Sequence, residues 1–369
     1  MEVDGVRSFY DPNEGSCKAD HDLSPEELDA AFALVRAILP RDSVTQGHSL
    51  RVMDYALALA RRAKLPRKLL AHLVFGSLLH DCGKGGVSDY ILQKPGTLSS
   101  DQMRLMGLHS ERGHTITRCV GPLETASLFI RQHHERWDGQ GYPDGLSEEE
   151  IHICSRIITI VDVFDAMTSH RPYRKSMPVQ AAMGVMRSGR GSRFDPELTD
   201  TFLAMLREKM VNARKGGVSF FRPWFTPTLI AAEATLPFRQ ALRHSLSGPA
   251  TQLTVVASGE EVVDHVASGP VEMIMVGETL SDMTGAECLH MSRELAPRAV
   301  RLMLCPFNRL EALVSHREWA GIYRYVLVPW NDRQLNELVT EALVWRQICS
   351  AVRGDDGRTN ASGGKVTPP

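Results

Sequence analysis

Of the fourteen histidines in the sequence, ten precede residue 225, and several stand beside carboxylates where chemistry could be done. His80-Asp81 closes an apolar helical run. An unpaired charge buried there costs several kcal/mol, so the dyad calls for partners. His48 lies four residues before Val52 and shares its inward helical face. Asp162 follows Ile158 by four in IITIVDVFDAM, which puts another carboxylate on an apolar face. His133 and His134 are adjacent, about 100° apart around a helix. Both can address one site only near a helix end that opens on a cleft, and the DGQGYP loop follows directly. His109 falls in a helical stretch between these elements. Any one of these histidines alone would be read as a cap, a packed ring or a surface residue. Together they supply imidazole nitrogens and carboxylate oxygens without thiolates, a set suited to iron, manganese, zinc or nickel. Seven groups (His48, His80, Asp81, His109, His133, His134, Asp162) exceed one tetrahedral ion. They suit two ions about 3.5–4 Å apart with one carboxylate bridging. Such a pair can lower the pKa of a shared water, hold a phosphate in line with it and neutralise the leaving oxygen. That is phosphodiester hydrolysis.

The elements that must carry these groups read as helices. Ser24-Pro25-Glu26-Glu27 has the form of a capping box with proline at the first helical position. From there to about residue 210 the apolar spacing is helical: Leu69, Leu73, Gly76 and His80 recur at 4, 3 and 4, and His48, Val52, Ala56 and Leu59 nearly do the same. No strand run interrupts them, so an all-α bundle is expected over 23–215. Loops are marked by Lys94-Pro95-Gly96, Asp138-Gly139-Gln140-Gly141-Tyr142-Pro143, and Gly189 to Gly191. A boundary is expected between Gly216-Gly217 and Pro223. Beyond it, β-rich runs at 228–232, 252–257, 271–276, 299–304 and 323–328 alternate with helical segments at 236–246, 259–268, 284–295, 308–317 and 333–349. Strand alternating with helix predicts a doubly wound, five-stranded parallel sheet over 226–352. The acidic segment 1–22 and the Gly, Asp, Ser and Pro-rich segment 353–369 are expected to be flexible tails.

Composition narrows the function further. The 369 residues suggest two domains or three. Lys plus Arg is 42 against 44 for Asp plus Glu, a net charge of −2, which argues against coating a nucleic-acid polymer or an anionic membrane. One phosphate-binding pocket remains compatible with that balance. At 43% hydrophobic residues the chain can bury cores and is not wholly disordered. No window approaches the roughly 20 apolar residues that span a bilayer. The opening MEVDGVRSFYDPNE does not read as a secretory signal. Seven cysteines without a CxxC pair suggest reduced thiols and a cytoplasmic setting.

The motifs also carry a resemblance. His80-Asp81-Cys82-Gly83-Lys84 is similar to the HDxGK signature of the HD phosphohydrolase superfamily. The run from His133-His134-Glu135 through Asp138-Gly139-Gln140-Gly141-Tyr142-Pro143 to Gly145-Leu146 resembles the HHExxDGxGYPxGL signature of its HD-GYP subfamily. The likeness continues through Asp162 to Thr168, Arg171-Pro172-Tyr173-Arg174 and Phe194-Asp195-Pro196, and covers roughly residues 25–205. It implies a cyclic di-GMP phosphodiesterase with two divalent ions on a helical bundle, iron or manganese foremost and zinc or nickel as alternatives. Carried over by motif, His48, His80, Asp81 and Asp162 would hold one ion, and Asp81, His109, His133 and His134 the other. Asp81 would bridge. Lys84 would contact a substrate phosphate, with Arg171 and Arg174 on the phosphate side, and Tyr142 would stand in a lid or partner-docking loop, unless that loop is an ordinary turn. Trinuclear members place a Glu four residues before the first histidine ligand; Val44 stands there, which implies a dinuclear site. Whether the product is linear pGpG or GMP stays open. The rival readings are a same-fold enzyme preferring pGpG or cyclic GMP-AMP, and a non-catalytic scaffold that binds nucleotide or protein.

The second unit resembles response-regulator receiver domains, in Pro270 to Gly285, Leu310 to Leu313 and Ile322 to Trp330. A working receiver needs an aspartate after its third strand, acids after the first, Thr or Ser after the fourth and Lys before the proline after the fifth. Gly277, Glu233 alone, Cys305 and Val328 hold those places. Glu278 and Asp282 nearby read as turn residues. The resemblance therefore implies a pseudo-receiver that serves partner docking or homodimerisation; an unrelated α/β domain is the alternative.

Overall fold

The computed structural model describes residues 27, 30, 31, 35, 43–92, 94, 96–169, 176–216, 227–247, 251–309 and 316–353. The expected capping box at Ser24, both tails up to 26 and from 354, and the expected boundary residues 217–223 lie outside these. The chain divides into two compact units, Met1–Trp224 and Phe225–Pro369.

The described part of the first unit is helical: α1 (Ser43–Arg62), α2 (Arg67–Leu79), α3 (Asp89–Leu92), α4 (Ser100–Gly107), α5 (His109–Thr117), α6 (Glu124–Gln132), α7 (Ile153–Thr168), α8 (Val179–Ser188) and α9 (Pro196–Gly216). Every residue of α2 from Leu69 to Leu79 is buried. A helix apolar all round belongs in the middle of a bundle, and α1, α6 and α7 pack around it. Gly76 permits the close approach of α6, because a β carbon there would lie 3.1 Å from Phe129 Cδ2. Tyr55, Phe164 and Phe202 meet edge to face, with centroids 5.2–6.0 Å apart, and tie α1, α7 and α9 together. Between α2 and α3 the chain makes a 3₁₀ turn at Cys82–Gly86 that packs on α5. His109 opens α5 rather than sitting within a longer helix. The break falls at Gly107-Leu108, where glycine weakens the helix and the Tyr142 ring fills the space a side chain would take.

The second unit is a five-stranded parallel sheet of β1 (Thr228–Ala232), β2 (Gln252–Val256), β3 (Met273–Gly277), β4 (Val300–Pro306) and β5 (Arg324–Val328), in the order β2-β1-β3-β4-β5. Helices α10 (Leu236–Leu246), α11 (Gly259–Ser268), α12 (Gly285–Leu295), α13 (Arg317–Ala320) and α14 (Asp332–Arg353) complete it. Alternation builds two cores. Ile230, Ala232, Ile274 and Val276 face Val262 of α11 and Leu289 of α12, whereas Leu229, Ala231, Met273 and Met275 face Leu242 of α10 and Leu335 of α14. This is the doubly wound receiver-like order, with function expected at the carboxyl ends of the strands. The last helix runs to Arg353 and not to 349, because the first helix breaker is Gly354. The middle of the helix expected at 308–317 lies outside the described residues.

Candidate metal centre

Five separate elements deliver the seven groups to one place. His48 comes from the first half of α1, His80-Asp81 from the end of α2, His109 from the start of α5, His133-His134 from the end of α6 and Asp162 from the middle of α7. Among the described residues two sets of three have ligand atoms all within 4.8 Å of one another: His48, His80 and Asp162, and His109, His133 and His134. Asp81 touches both. Its Oδ1 lies 3.5 Å from His109 Nε2, and its Oδ2 lies 3.4 Å from His80 Nε2 and 4.0 Å from His48 Nε2.

The ring orientations follow from helix ends. The last carbonyls of a helix lack an intrahelical partner. His80 directs Nδ1 to Ser77 O at 2.8 Å, His109 to Met106 O at 2.7 Å and His133 to Ile130 O at 2.7 Å. A carbonyl only accepts, so each Nδ1 carries the proton and each Nε2 presents a bare lone pair. His109 Nε2 then lies 3.3 Å from His133 Nε2 and 3.1 Å from His134 Nε2. His109 and His133 thus point lone pairs at each other, which repels unless a cation stands between them. Two ligands about 2.1 Å from one ion, at an angle of roughly 95–105°, lie about 3.1–3.3 Å apart. On the other side His80 Nε2 and His48 Nε2 are buried without a hydrogen-bond partner; His48 Nε2 is 3.2 Å from Asp162 Oδ1 but not aligned for one. The donor set and its orphaned nitrogens fit divalent metal binding.

Electrostatics differ between the two sides. Burial holds His133 well below the ordinary imidazole value, aided by its histidine neighbours. It also lowers His109 and takes His134 down to about 3. These rings are neutral donors. At His48 burial opposes the charged form, but Asp162 and Asp165 outweigh it and raise the pKa to about 9. Burial likewise opposes ionisation of Asp81 and Asp162. Lys84 and His80 around the first, and His48 and His80 around the second, hold both below the usual carboxylate range.

The expected substrate-side residues fall as follows. Lys84 Nζ sits 2.5 Å from Asp81 Oδ2, with its side chain 37% exposed at the rim. Tyr142 lays its ring on His134, centroids 4.9 Å apart and 30° from parallel, and is 38% exposed. Its loop is held from within. The Glu135 carboxylate accepts the main-chain N–H groups of Asp144 (2.7 Å), Gly145 (3.2 Å) and Leu146 (3.2 Å), and Arg131 clamps Asp144. Gly141 has to be glycine, since a β carbon would lie 2.4 Å from Arg136 N. Arg171 and Arg174 lie outside the described residues. Val44 lies in α1, one turn before His48, and its side chain is likewise not described.

Sequence reasoning passed over Asp165, Arg51 and Thr159. Asp165 accepts from His48 Nδ1 at 2.8 Å and from Arg51 at 2.6 and 3.0 Å. Thr159 Oγ1 donates to His133 O at 2.7 Å. The available signal was spacing: Asp165 follows Asp162 by three, on the same helical face.

In the second unit, a β carbon on Gly277 would lie 2.2 Å from Glu233 Oε2, so the Glu233 carboxylate occupies the space beside Gly277. Glu278 pairs with Arg309. Asp282 is not a simple turn residue: it accepts from Gly259 N (2.7 Å) and Glu260 N (2.9 Å) and so caps α11. Both described metal-binding groups belong to the first unit.

Residues 34–198 match the family model for the HD domain. The chain is 39% identical over 153 residues to a 3'3'-cGAMP-specific phosphodiesterase of Vibrio cholerae, covering 42% of this chain and 33% of that protein. It is 37% identical over 170 residues to a cyclic di-GMP phosphodiesterase of Thermotoga maritima (46% of each), and 34% identical over 185 residues to a cyclic di-GMP phosphodiesterase response regulator of Xanthomonas campestris (50% and 49%). It thus spans between a third and a half of the length of these relatives. A solved signal receiver domain of an HD domain-containing protein from Pseudomonas fluorescens is 22% identical, over 33% of this chain and 89% of that one, with a TM-score of 0.32. No described helix is long and apolar enough to cross a membrane.

Proposed function

We propose that this chain, whose first unit carries an HD domain, is a metal-dependent phosphodiesterase that hydrolyses cyclic di-GMP. The observation that carries the reading is Asp81, whose two oxygens face the two histidine-bearing groups on either side. Two divalent ions, when bound, supply Lewis acidity and lower the pKa of water toward neutrality. His48, His80 and Asp162 would hold one, His109, His133 and His134 the other, with Asp81 between them. The protein's own part is orientation. The carbonyls of Ser77, Met106 and Ile130 fix three rings with Nε2 inward. Lys84, at the rim, offers its ammonium to a phosphate oxygen. Tyr142 shields His134 from water. Arg171 and Arg174 are proposed to complete the phosphate side.

A second substrate reading rests on one finding: the relatives include phosphodiesterases named for 3'3'-cGAMP. Both substrates present the same phosphodiesters and differ in a base. A scaffold without turnover is disfavoured, because all seven groups are present and converge. The second unit serves docking or dimerisation, and the substrate class points to the cytoplasm. The deciding experiment is metal analysis of anaerobically purified protein, with product analysis on cyclic di-GMP, pGpG and 3'3'-cGAMP. Two ions per chain and release of pGpG or GMP are expected. Metal-free protein that turns over none of the three would overturn the proposal.

A further inference from the structure

Four histidines of the centre have a settled Nδ1 partner, and one of them differs. His80, His109 and His133 each use a carbonyl three residues earlier. They can because they stand at or just past helix ends, where Ser77, Met106 and Ile130 belong to the last turns of α2, α4 and α6 and have acceptor capacity to spare. His48 is the sixth residue of the twenty-residue α1. The carbonyls before it are taken by the helix that continues through it, so its Nδ1 needs an acceptor from another element. Asp165 of α7 supplies it at 2.8 Å. Asp165 is 1% exposed and cannot swing away, because Arg51, one turn on from His48, grips both its oxygens at 2.6 and 3.0 Å. The result is a closed set of Arg51, Asp165 and His48. It leaves His48 Nε2 buried, without a hydrogen-bond partner, and aimed at Asp162 and Asp81.

We propose that Asp165 is a positioning residue for the metal centre: it replaces the helix-end carbonyl that His48 lacks, and the ion at His48, His80 and Asp162 depends on it while the ion at His109, His133 and His134 does not. The proposal rests on the dinuclear reading above. A histidine's outer hydrogen-bond partner is typically worth 10–100-fold in metal affinity. The dependence is local, because His109 and His133 take their orientation from Met106 and Ile130 on other helices.

The test compares wild type, Asp165→Ala and Asp165→Asn by manganese titration, with ions counted per chain and the exchange-coupled signal of a manganese pair followed by electron paramagnetic resonance. Wild type should bind two ions and show the coupled signal. Asp165→Ala should keep one tight ion, lose 10–100-fold affinity for the other and show an uncoupled signal. Asp165→Asn keeps an acceptor oxygen and should stay within about tenfold of wild type. A generally damaged fold would weaken both ions together, and a melting curve on each variant reads that separately. If Asp165→Ala binds two ions as tightly as wild type, loses both alike, or is matched in weakness by Asp165→Asn, the proposal fails while the dinuclear reading stands. If Asp165→Ala does not fold, Asp165→Asn decides: loss of both ions, or of the His109 ion, overturns the proposal. A wild type that binds no manganese, iron or zinc overturns the dinuclear reading and this inference with it.

Discussion

Replacing Gly83 by alanine adds one carbon at the tightest joint of the centre. That β carbon would lie 2.0 Å from His109 O, 2.6 Å from Gly113 N and 2.9 Å from His109 C. All three atoms are backbone of α5, so no side chain can turn aside. To bring 2.0 Å to the 3.0 Å that real contacts respect, α5 or the 3₁₀ turn must retreat by about 1 Å. Gly83 sits two residues after Asp81, and α5 begins with His109, so the shift opens the 3.5 Å approach of His109 Nε2 to Asp81 Oδ1. Overpacking of this kind costs about 1–3 kcal/mol. For a unit of some 200 residues that is a melting decrease of about 2–12 °C. A 1 Å misplacement of a catalytic group can cost about 100-fold in rate. The variant should therefore remain folded, melt a few degrees lower, lose affinity mainly for the ion at His109, His133 and His134, and fall about 100-fold in turnover. Differential scanning calorimetry, metal titration and a pGpG-release assay read these three effects. A Gly83→Ala protein with wild-type melting, two tight ions and full turnover would refute the reasoning, because it would mean that the turn and α5 are not in contact as described.

Other outcomes follow from the same geometry. Asp81→Ala removes the carboxylate that faces both groups, so turnover on cyclic di-GMP should vanish and the bound-metal count should drop; near-normal rates at full occupancy would sink the bridging role. Acetyl phosphate with magnesium should leave residues 226–352 unlabelled and the phosphodiesterase rate unchanged, and Gly277→Asp alone should not restore labelling because Val328 still stands in the lysine place; an acyl-phosphate with a rate change, found by mass spectrometry, would contradict this. His152 accepts from Cys154 N through Nδ1 and stacks on Phe129, and burial, then Arg156 and His72, push its pKa down to about 4. The folded state therefore binds fewer protons than the unfolded chain, so stability is full above about pH 6.5 and is lost as pH falls toward 4. His152→Asn keeps a cap without a titration and should flatten that part of the melting-versus-pH curve relative to wild type.

The sequence made the helical unit legible because its apolar residues recur at helical spacing and His80, His109, His133 and His134 stand where that spacing breaks, His48 alone of the centre's histidines lying inside a helix. Leu69, Leu73, Gly76 and His80 mark one buried line, and α2 is that line. The strand–helix alternation was equally plain, since each strand is a short apolar run between polar punctuations. Ends were less legible. Val271 and Glu272 read as strand, and the regular register of β3 begins at Met273, although Glu272 still donates its N–H to Thr228 O and accepts from Val300 N, both at 2.9 Å, while its carboxylate accepts Thr228 N at 2.6 Å. Within the centre, residue types identified the groups that could bind metal but not the groups that aim them. Asp162 and Asp165 both face His48, the first at Nε2 and the second at Nδ1, and that ring lies 117 residues before Asp165. The spacing of three puts both carboxylates on one face of α7, but which ring nitrogen each meets is set by the crossing of α1 and α7.

The two units show opposite relations between core and site. In the helical unit α1, α2, α5, α6 and α7 each contribute one or two groups of the centre, so most of the described helices answer to the chemistry as well as to the core. In the sheet unit the apolar alternation of Ile230, Ala232, Ile274 and Val276 against Leu229, Ala231, Met273 and Met275 sets the fold without any help from the strand ends. The strand ends are therefore not fixed by the core. Gly277 has no side chain to accept a phosphoryl group, Val328 has no cation to pair with one, and the Glu233 carboxylate occupies the space beside Gly277. On the docking reading proposed above, deletion of residues 226–352 should alter oligomeric state or partner binding while leaving metal binding by the first unit unchanged, as size-exclusion chromatography and metal titration would read.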